Sequence, residues 1–331
     1  MKCSRMRASN ERREPMDWAG RNVLVTGGAG FVPSHIVDAL VARGAEVTAM
    51  DNLQAGLEDN LKASWGKITF LKADLRDADA TRRAIDGQEY VFHLGANASV
   101  PNSLRDTRYD FQTNSVGSLN VYEAAKDFGV KRVIYASSAA VYGEPRYVPT
   151  DENHPLEPTS FYGVSKLTAE RLGMMYHKMH GMGFTAIRIF NTYGPRQPRY
   201  VLADLIRKLM RNPNELEVLG TGEQVRDYSF VSDTAGAFIA AMENEDTNGE
   251  VYNISGGNPI SIKQLVSIIL KVMDIPGCKV TYTGQSWKGD IDRLEADISK
   301  IRAAGFTPSV PLEEGIRRTI ESGTITGDPE F

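Results

Sequence analysis

Tyr162 and Lys166 stand four residues apart in the stretch Thr159-Ser160-Phe161-Tyr162-Gly163-Val164-Ser165-Lys166-Leu167-Thr168-Ala169-Glu170. On a helix that spacing stacks them on one face, with Cβ atoms roughly 5–6 Å apart. A phenol ordinarily keeps its proton to about pH 10, so bringing it near 7 requires roughly 4 kcal/mol of extra stabilisation for the phenolate. The Lys166 ammonium and a second positive charge in a half-dry cleft can supply that. The product is a general base poised at its operating pH. Alone, Tyr-x-x-x-Lys is equally an ordinary amphipathic pair. Its chemistry depends on the rest of the chain bringing that second charge.

The composition bounds what the rest can be. A chain of 331 residues, 41% hydrophobic and 24% charged, is an ordinary soluble globular one, long enough for two domains. A net charge of −4 and the lack of a long basic run argue against nucleic acid or an anionic membrane as main partner. Cys3 and Cys278 are too few for a disulfide framework, which fits a reducing cytoplasm. No apolar run approaches the roughly 20 residues of a membrane span. Residues 1–20 mix arginines with acids and read as a flexible, solvated extension.

Asn22-Val-Leu-Val-Thr-Gly-Gly-Ala-Gly-Phe-Val-Pro-Ser34 reads as a buried strand, a glycine turn and a helix start, the helix ending at Gly44. A second strand, 46–51, ends in Asp51, where an acidic residue grips an adenosine ribose in dinucleotide-binding folds. Its carboxylate would repel a 2′-phosphate, so the expected cofactor is NAD, whose oxidised nicotinamide ring is the second positive charge. Pro33 replaces the usual third glycine. Proline is tolerated in a first helical turn, so a small helix shift is expected with the site retained.

The alternation continues with strands at 68–74, 90–95, 131–138 and 185–191. A short helix lies at 78–85, a long helical region runs from about 107 to 128, and the Tyr162 helix follows. Repeated β-α units predict a doubly wound parallel sheet (a Rossmann fold) with ligands beyond the strand carboxyl ends, where Asp51, Asp74, Ser138 and Asn191 all fall. The nucleotide-binding domain spans 21–195, with a returning segment near 226–256. Residues 196–331 form mainly a smaller, interleaved α/β substrate-binding domain. Its helices are expected at 202–211, 233–242, 262–273 and 298–304, with strand-like pieces at 216–219, 226–231, 250–255 and 280–283.

Thr26-Gly-Gly-Ala-Gly-Phe-Val, Ser137-Ser-Ala-Ala-Val-Tyr-Gly143, Tyr162-Gly-Val-Ser-Lys166, Phe190-Asn-Thr-Tyr-Gly-Pro-Arg196 and Val225-Arg-Asp-Tyr228 occur in this order. Over about residues 20–321 the chain resembles extended short-chain dehydrogenase/reductases of the NAD-dependent epimerase/dehydratase family, which act on nucleotide sugars. The resemblance implies that Tyr162 is the catalytic base, Lys166 its partner on the nicotinamide ribose, and Ser138 the contact to the reacting sugar hydroxyl. Alone, Ser138 would be a strand-end cap. Gly27, Gly30, Phe31, Val32, Asp51, Asn52, Asp74, Leu75, Leu94, Gly95 and Ala96 would line the cofactor. Asn191 and Arg226 would grip the nucleotide sugar. Trp287 stands where the family often has an arginine, which leaves Lys288 or Arg293 to help Arg226 with the diphosphate, or Trp287 to stack on the base. Leu294 matches the family's pocket-size gate and leaves plain hexose, N-acetylated hexose and uronic acid open.

Ala139 and Ala140 follow Ser138 where the family's dehydratases and decarboxylases carry carboxylates. Alanine transfers no proton, so 4-epimerisation of a UDP-hexose-type sugar through a transient 4-keto intermediate is expected. A dehydratase or decarboxylase and, from another class, a catalytically silent NAD(H)-binding regulator are the alternatives. The resemblance also implies a homodimer built on the helices at 107–128 and 160–180. His177 and His180 lack a third metal ligand and read as solvated, so no metal site is expected. His93 reads as a core histidine, and Met174, Met175, Met179 and Met182 as helix packing.

Overall fold

The computed structural model describes residues 16–285 and 291–325. Its centre is a seven-stranded parallel sheet in the order β11-β6-β5-β4-β1-β2-β3. The strands are β1 (Asn22–Thr26), β2 (Glu46–Asp51), β3 (Ile68–Lys72), β4 (Tyr90–His93), β5 (Arg132–Ser138), β6 (Gly183–Ile189) and β11 (Val251–Ile254). The central strands are buried on both faces, Val23, Leu24 and Val25 among them, as their unbroken apolar runs require. Between them lie α1 (Phe31–Val41), α2 (Ala78–Ile85), α3 (Val100–Arg105), α4 (Thr107–Phe111), α5 (Gly117–Asp127) and α6 (Phe161–His180). Ile36, Val37 and Leu40 of α1 are fully buried, each contributing about 1.5–3 kcal/mol.

β2 and β5 end on Asp51 and Ser138 themselves, while Asp74 and Asn191 lie two residues past β3 and β6. The strand expected to run to Asn191 stops at Ile189. Phe190 N–H still bonds Ile254 O, after which the chain leaves the sheet and β7 (Asn191–Tyr193) pairs with β10 (Tyr228–Phe230). β11 returns to extend the main sheet beside β6.

The second layer has its own core, including Leu205, Leu216, Phe230 and Leu265. It comprises α7 (Val201–Arg211), β8 (Glu215–Val218), β9 (Val225–Arg226), α8 (Val231–Glu243), β12 (Ile260–Ser261), α9 (Ile262–Val272), β13 (Lys279–Tyr282), β14 (Arg293–Leu294), α10 (Ser299–Ala303) and α11 (Leu312–Glu321). α8 packs instead on α1 and the main sheet, so the two layers interleave.

Three expectations need correction. Residues 16–20 do not behave as an extension: Trp18 is 2% exposed, edge-on to Tyr90, and donates to Glu243 Oε1 at 2.7 Å. The helical region from Thr107 passes through a π turn at Gln112–Val116 rather than running as one α-helix. Short α3 and the amphipathic α11 were not anticipated.

Candidate active site

Gly27 begins the turn after β1 with φ +68°, where only glycine is unstrained, and a Cβ there would lie 2.8 Å from Gly95 Cα. That close approach draws the loop after β4 (Leu94, Gly95, Ala96) against the turn, and Gly95 N–H donates to Thr26 Oγ1 at 3.0 Å. Gly30 is the N-cap of α1, and the first turn carries no acidic side chain. First-turn N–H groups such as those of Phe31 and Val32 lack an i−4 carbonyl and favour an anion such as a pyrophosphate. Pro33 is the third helical residue, where a missing donor costs nothing, and α1 forms around it.

Asp51 is buried, and each carboxylate oxygen accepts one backbone N–H, from Ala29 at 3.1 Å and Leu53 at 2.7 Å. Burial raises its pKa and the two N–H groups oppose the rise. Lone pairs remain on both oxygens for ribose hydroxyls. Asn52 donates to Asp74 Oδ2 at 2.9 Å, and Arg76 grips Asp74 with its fork, holding that carboxyl down at about 2. Asp74, Arg76, Asp77, Gln112 and Val116 line a cleft of about 460 Å³, with buried Leu75 next to Asp74 in the chain. A turn, a helix terminus, a ribose acid and a cleft in this succession fit NAD.

Ser138, Tyr162 and Lys166 converge at the carboxyl end of β5. Ser160 caps α6 through Gly163 N–H at 3.0 Å, and Ser103 Oγ accepts Tyr162 N–H at 3.2 Å. A Cβ on Gly163 would lie 2.4 Å from Ala140 O, so glycine lets α6 press against the loop that follows Ser138. Burial raises the Tyr162 phenol above its ordinary value and Tyr200 adds to the rise, while a hydrogen bond with Ser138 opposes it. Lys166 lies one turn further along α6. Its Nζ sits 4.3 Å from the Tyr135 ring centroid, and its charge interacts with Asp110 and Glu170.

Burial lowers Lys166 to about 7, with Asp110 and Glu170 pulling upward. An unfolded lysine holds its proton to about 10.4. Between these values the unfolded chain binds more protons, so the folded chain gains stability as pH rises. Lys166→Met removes that slope. The melting-temperature difference, variant minus parent, should therefore shrink as pH goes from about 6 to about 9.5. A difference constant over that range would refute the desolvated lysine.

Asp110 and Asn114 belong to this centre and were missed. Asp110 accepts Ser165 Oγ at 2.6 Å and Asn97 Nδ2 at 2.9 Å, and Asn114 Nδ2 donates to Ser165 Oγ at 3.0 Å. Asn114 lies on the π turn, a feature that often marks function but has no simple sequence signature. His93 is the satisfied core histidine expected, bonded to Thr26 Oγ1 at 2.8 Å and Ser118 Oγ at 2.9 Å, and burial lowers it to about 3.

On the substrate side, Asn191 pairs with Tyr228 in the β7–β10 ladder, and Nδ2 lies 3.5 Å from Asp227 O. Arg226 sits on β9 beside Leu294 of β14. Arg293 is 56% exposed and paired with Glu295 at 2.9 Å. Trp287 and Lys288 lie outside the described residues. His177 is half-buried rather than solvated, its Nδ1 2.9 Å from Met182 O, and no metal-binding cluster occurs among the described residues. Met182 is buried and Met174 packs on the core, whereas Met175 and Met179 face outward. Among the described residues no helix is long and apolar enough to cross a membrane.

Comparison with known proteins identifies the family. The chain is 34% identical over 306 residues to UDP-glucose 4-epimerase of Mycolicibacterium smegmatis, covering 90% of this chain and 97% of that one. It is 35% identical over 308 residues to dTDP-glucose 4,6-dehydratase of Streptomyces griseus, covering 90% and 93%. The solved UDP-N-acetylglucosamine 4-epimerase from Methanobrevibacter ruminantium M1 superposes with a TM-score of 0.86 at 35% identity, over 92% of this chain and 98% of that one. Residues 23–255 match the family model itself, so the chain belongs to the NAD dependent epimerase/dehydratase family.

Proposed function

We propose that the chain is a nucleotide-sugar 4-epimerase acting on a UDP-hexose-type sugar with NAD. The observation that carries the reading is Ser138 at the carboxyl end of β5, acting on the Tyr162 phenol and followed directly by Ala139 and Ala140. Bound NAD⁺ supplies the hydride acceptor, and its positive ring favours a phenolate. Ser138 Oγ holds the C4 hydroxyl, and Tyr162 Oη takes its proton. Lys166, one turn further along α6, is read as the contact to the nicotinamide ribose. As Tyr162 returns the proton, the hydride would return to C4 on the opposite face of the turned 4-keto sugar, which gives the other epimer with no net oxidation.

A dehydratase or decarboxylase is the second reading, favoured by a 4,6-dehydratase relative of equal identity. Such chemistry needs a carboxyl group free to move a proton beside the sugar, and Asp110 is tied to Ser165, Asn97 and Asn114. We also read the outward apolar side chains Phe111, Val116, Phe161, Val164, Met175 and Met179 as a homodimer seam. Incubation with UDP-, dTDP-, GDP- and CDP-sugars distinguishes the reactions by product. An isomer without net NADH is expected, whereas loss of water or carbon dioxide, or stoichiometric NADH, would reject epimerisation.

A further inference from the structure

The segment Arg196-Gln197-Pro198-Arg199-Tyr200 joins β7 to α7. Both end residues adopt left-handed φ values, +68° at Arg196 and +78° at Tyr200. For side chains this large that conformation costs about 1–3 kcal/mol each and persists only where surrounding contacts impose it. Those contacts are visible. Arg196 reaches back to α1, bonding Ser34 Oγ at 3.1 Å and Asp38 at 2.6 Å, and Arg207 Nη2 donates to Pro198 O at 2.6 Å. Arg199 Nη2 and Tyr200 Oη both donate to one acceptor, Ala98 O, each at 2.8 Å. Ala98 lies just before α3, whose Ser103 receives the Tyr162 N–H. The strap therefore crosses from the second layer to the catalytic tyrosine.

Arg199 differs from its two neighbours. Arg196 is neutralised by Asp38, and Arg207 is spent on the strap's own backbone. Arg199 is half-buried, has no carboxylate partner among the described residues, and spends its fork on one carbonyl and the face of Tyr200 at 5.4 Å. A guanidinium has five N–H donors in a plane that matches a carboxylate two at a time. Arg199 is anchored on Ala98 O, just ahead of the helix whose Ser103 holds the Tyr162 N–H, so it lies on the Tyr162 side of the strap.

We propose that Arg199, held in place by the strap, is a specificity-determining residue that reads a carboxylate on the sugar ring, so that the substrate is a nucleotide-linked uronic acid. This rests on the nucleotide-sugar reading above and narrows its substrate class. The diphosphate is left to Arg226.

The test is calorimetric binding to the NAD-loaded chain of UDP-glucuronate against UDP-glucose. Glucuronate 1-phosphate against glucose 1-phosphate repeats the comparison without the base. The acidic member of each pair should bind at least about 10-fold tighter, as two charge-assisted hydrogen bonds warrant. Arg199→Met should erase that preference, leaving the neutral member within a few-fold of its parent affinity. Arg199→Lys should keep part of it, a point charge replacing the fork. An equal loss for both members would overturn the proposal and make Arg199 a diphosphate or strap residue. So would a parent chain without acidic preference. Those failures leave epimerisation standing, since it is read from products. Failure of all four probes to bind would sink the nucleotide-sugar reading as well.

Discussion

Tyr162→Phe should lower sugar conversion by at least about 100-fold, the smaller end of what a positioned general acid–base group contributes, while NAD affinity and melting temperature stay close to the parent's. The variant removes one oxygen and keeps the ring. The size of the loss follows from what surrounds the phenol. Burial, Tyr200 and Asp110 all keep it protonated, and among the chain's own groups Ser138 and Arg199 oppose them. On the proposed function, the positive ring of bound NAD⁺ would add to that opposition. A tyrosinate difference titration, parent minus Tyr162→Phe, should therefore show a lower midpoint with NAD⁺ bound than without it. Full-speed conversion by the phenylalanine variant would remove Tyr162 from the mechanism altogether.

What was readable along the chain follows the physics of each element. The glycine turn, Asp51 and the Tyr162–Lys166 spacing are local: they sit within one β-α-β unit or one helical turn, and each residue type is required where it stands. Ala78–Ile85 was legible for the same reason, its arginines and apolar residues keeping strict helical period. The strap is not local. Nothing in Gln-Pro-Arg-Tyr announces that Arg199 and Tyr200 reach Ala98, about a hundred residues back in the chain. The surroundings of Lys166 are not local either. Spacing puts lysine and tyrosine on one helix face, but the Tyr135 ring arrives from β5 and takes the ammonium. Trp18 was missed because a lone aromatic in a charged stretch has no period to reveal its burial. Arg293 was chosen by position, and only the structure shows that it pairs with Glu295.

Glu170→Ala should be the most damaging single change to stability, at about 3–5 kcal/mol, the usual cost of orphaning one member of a buried ion pair. Glu170 and Arg188 have side chains 1% and 3% exposed and meet through two hydrogen bonds, at 2.6 and 3.0 Å. Ser137 Oγ adds a third bond to the carboxylate at 2.6 Å. Arg188 continues to the Tyr142 hydroxyl, which donates to Asn253 Oδ1 at 2.6 Å. One carboxylate therefore joins α6, β5, β6 and β11 directly behind Ser138 and one turn past Lys166. Burial alone would lower the Arg188 pKa, and the Glu170 bond and charge outweigh it; with its partner removed the guanidinium still keeps its charge, because arginine is not deprotonated in proteins. A denaturant titration should show the alanine variant unfolding at markedly lower concentration. Glu170→Met combined with Arg188→Met should recover most of the loss, because removing both charges leaves no buried ion uncompensated. If the double variant is as unstable as the single one, the cost lies in packing and the ion pair is not what binds the catalytic helix to the sheet.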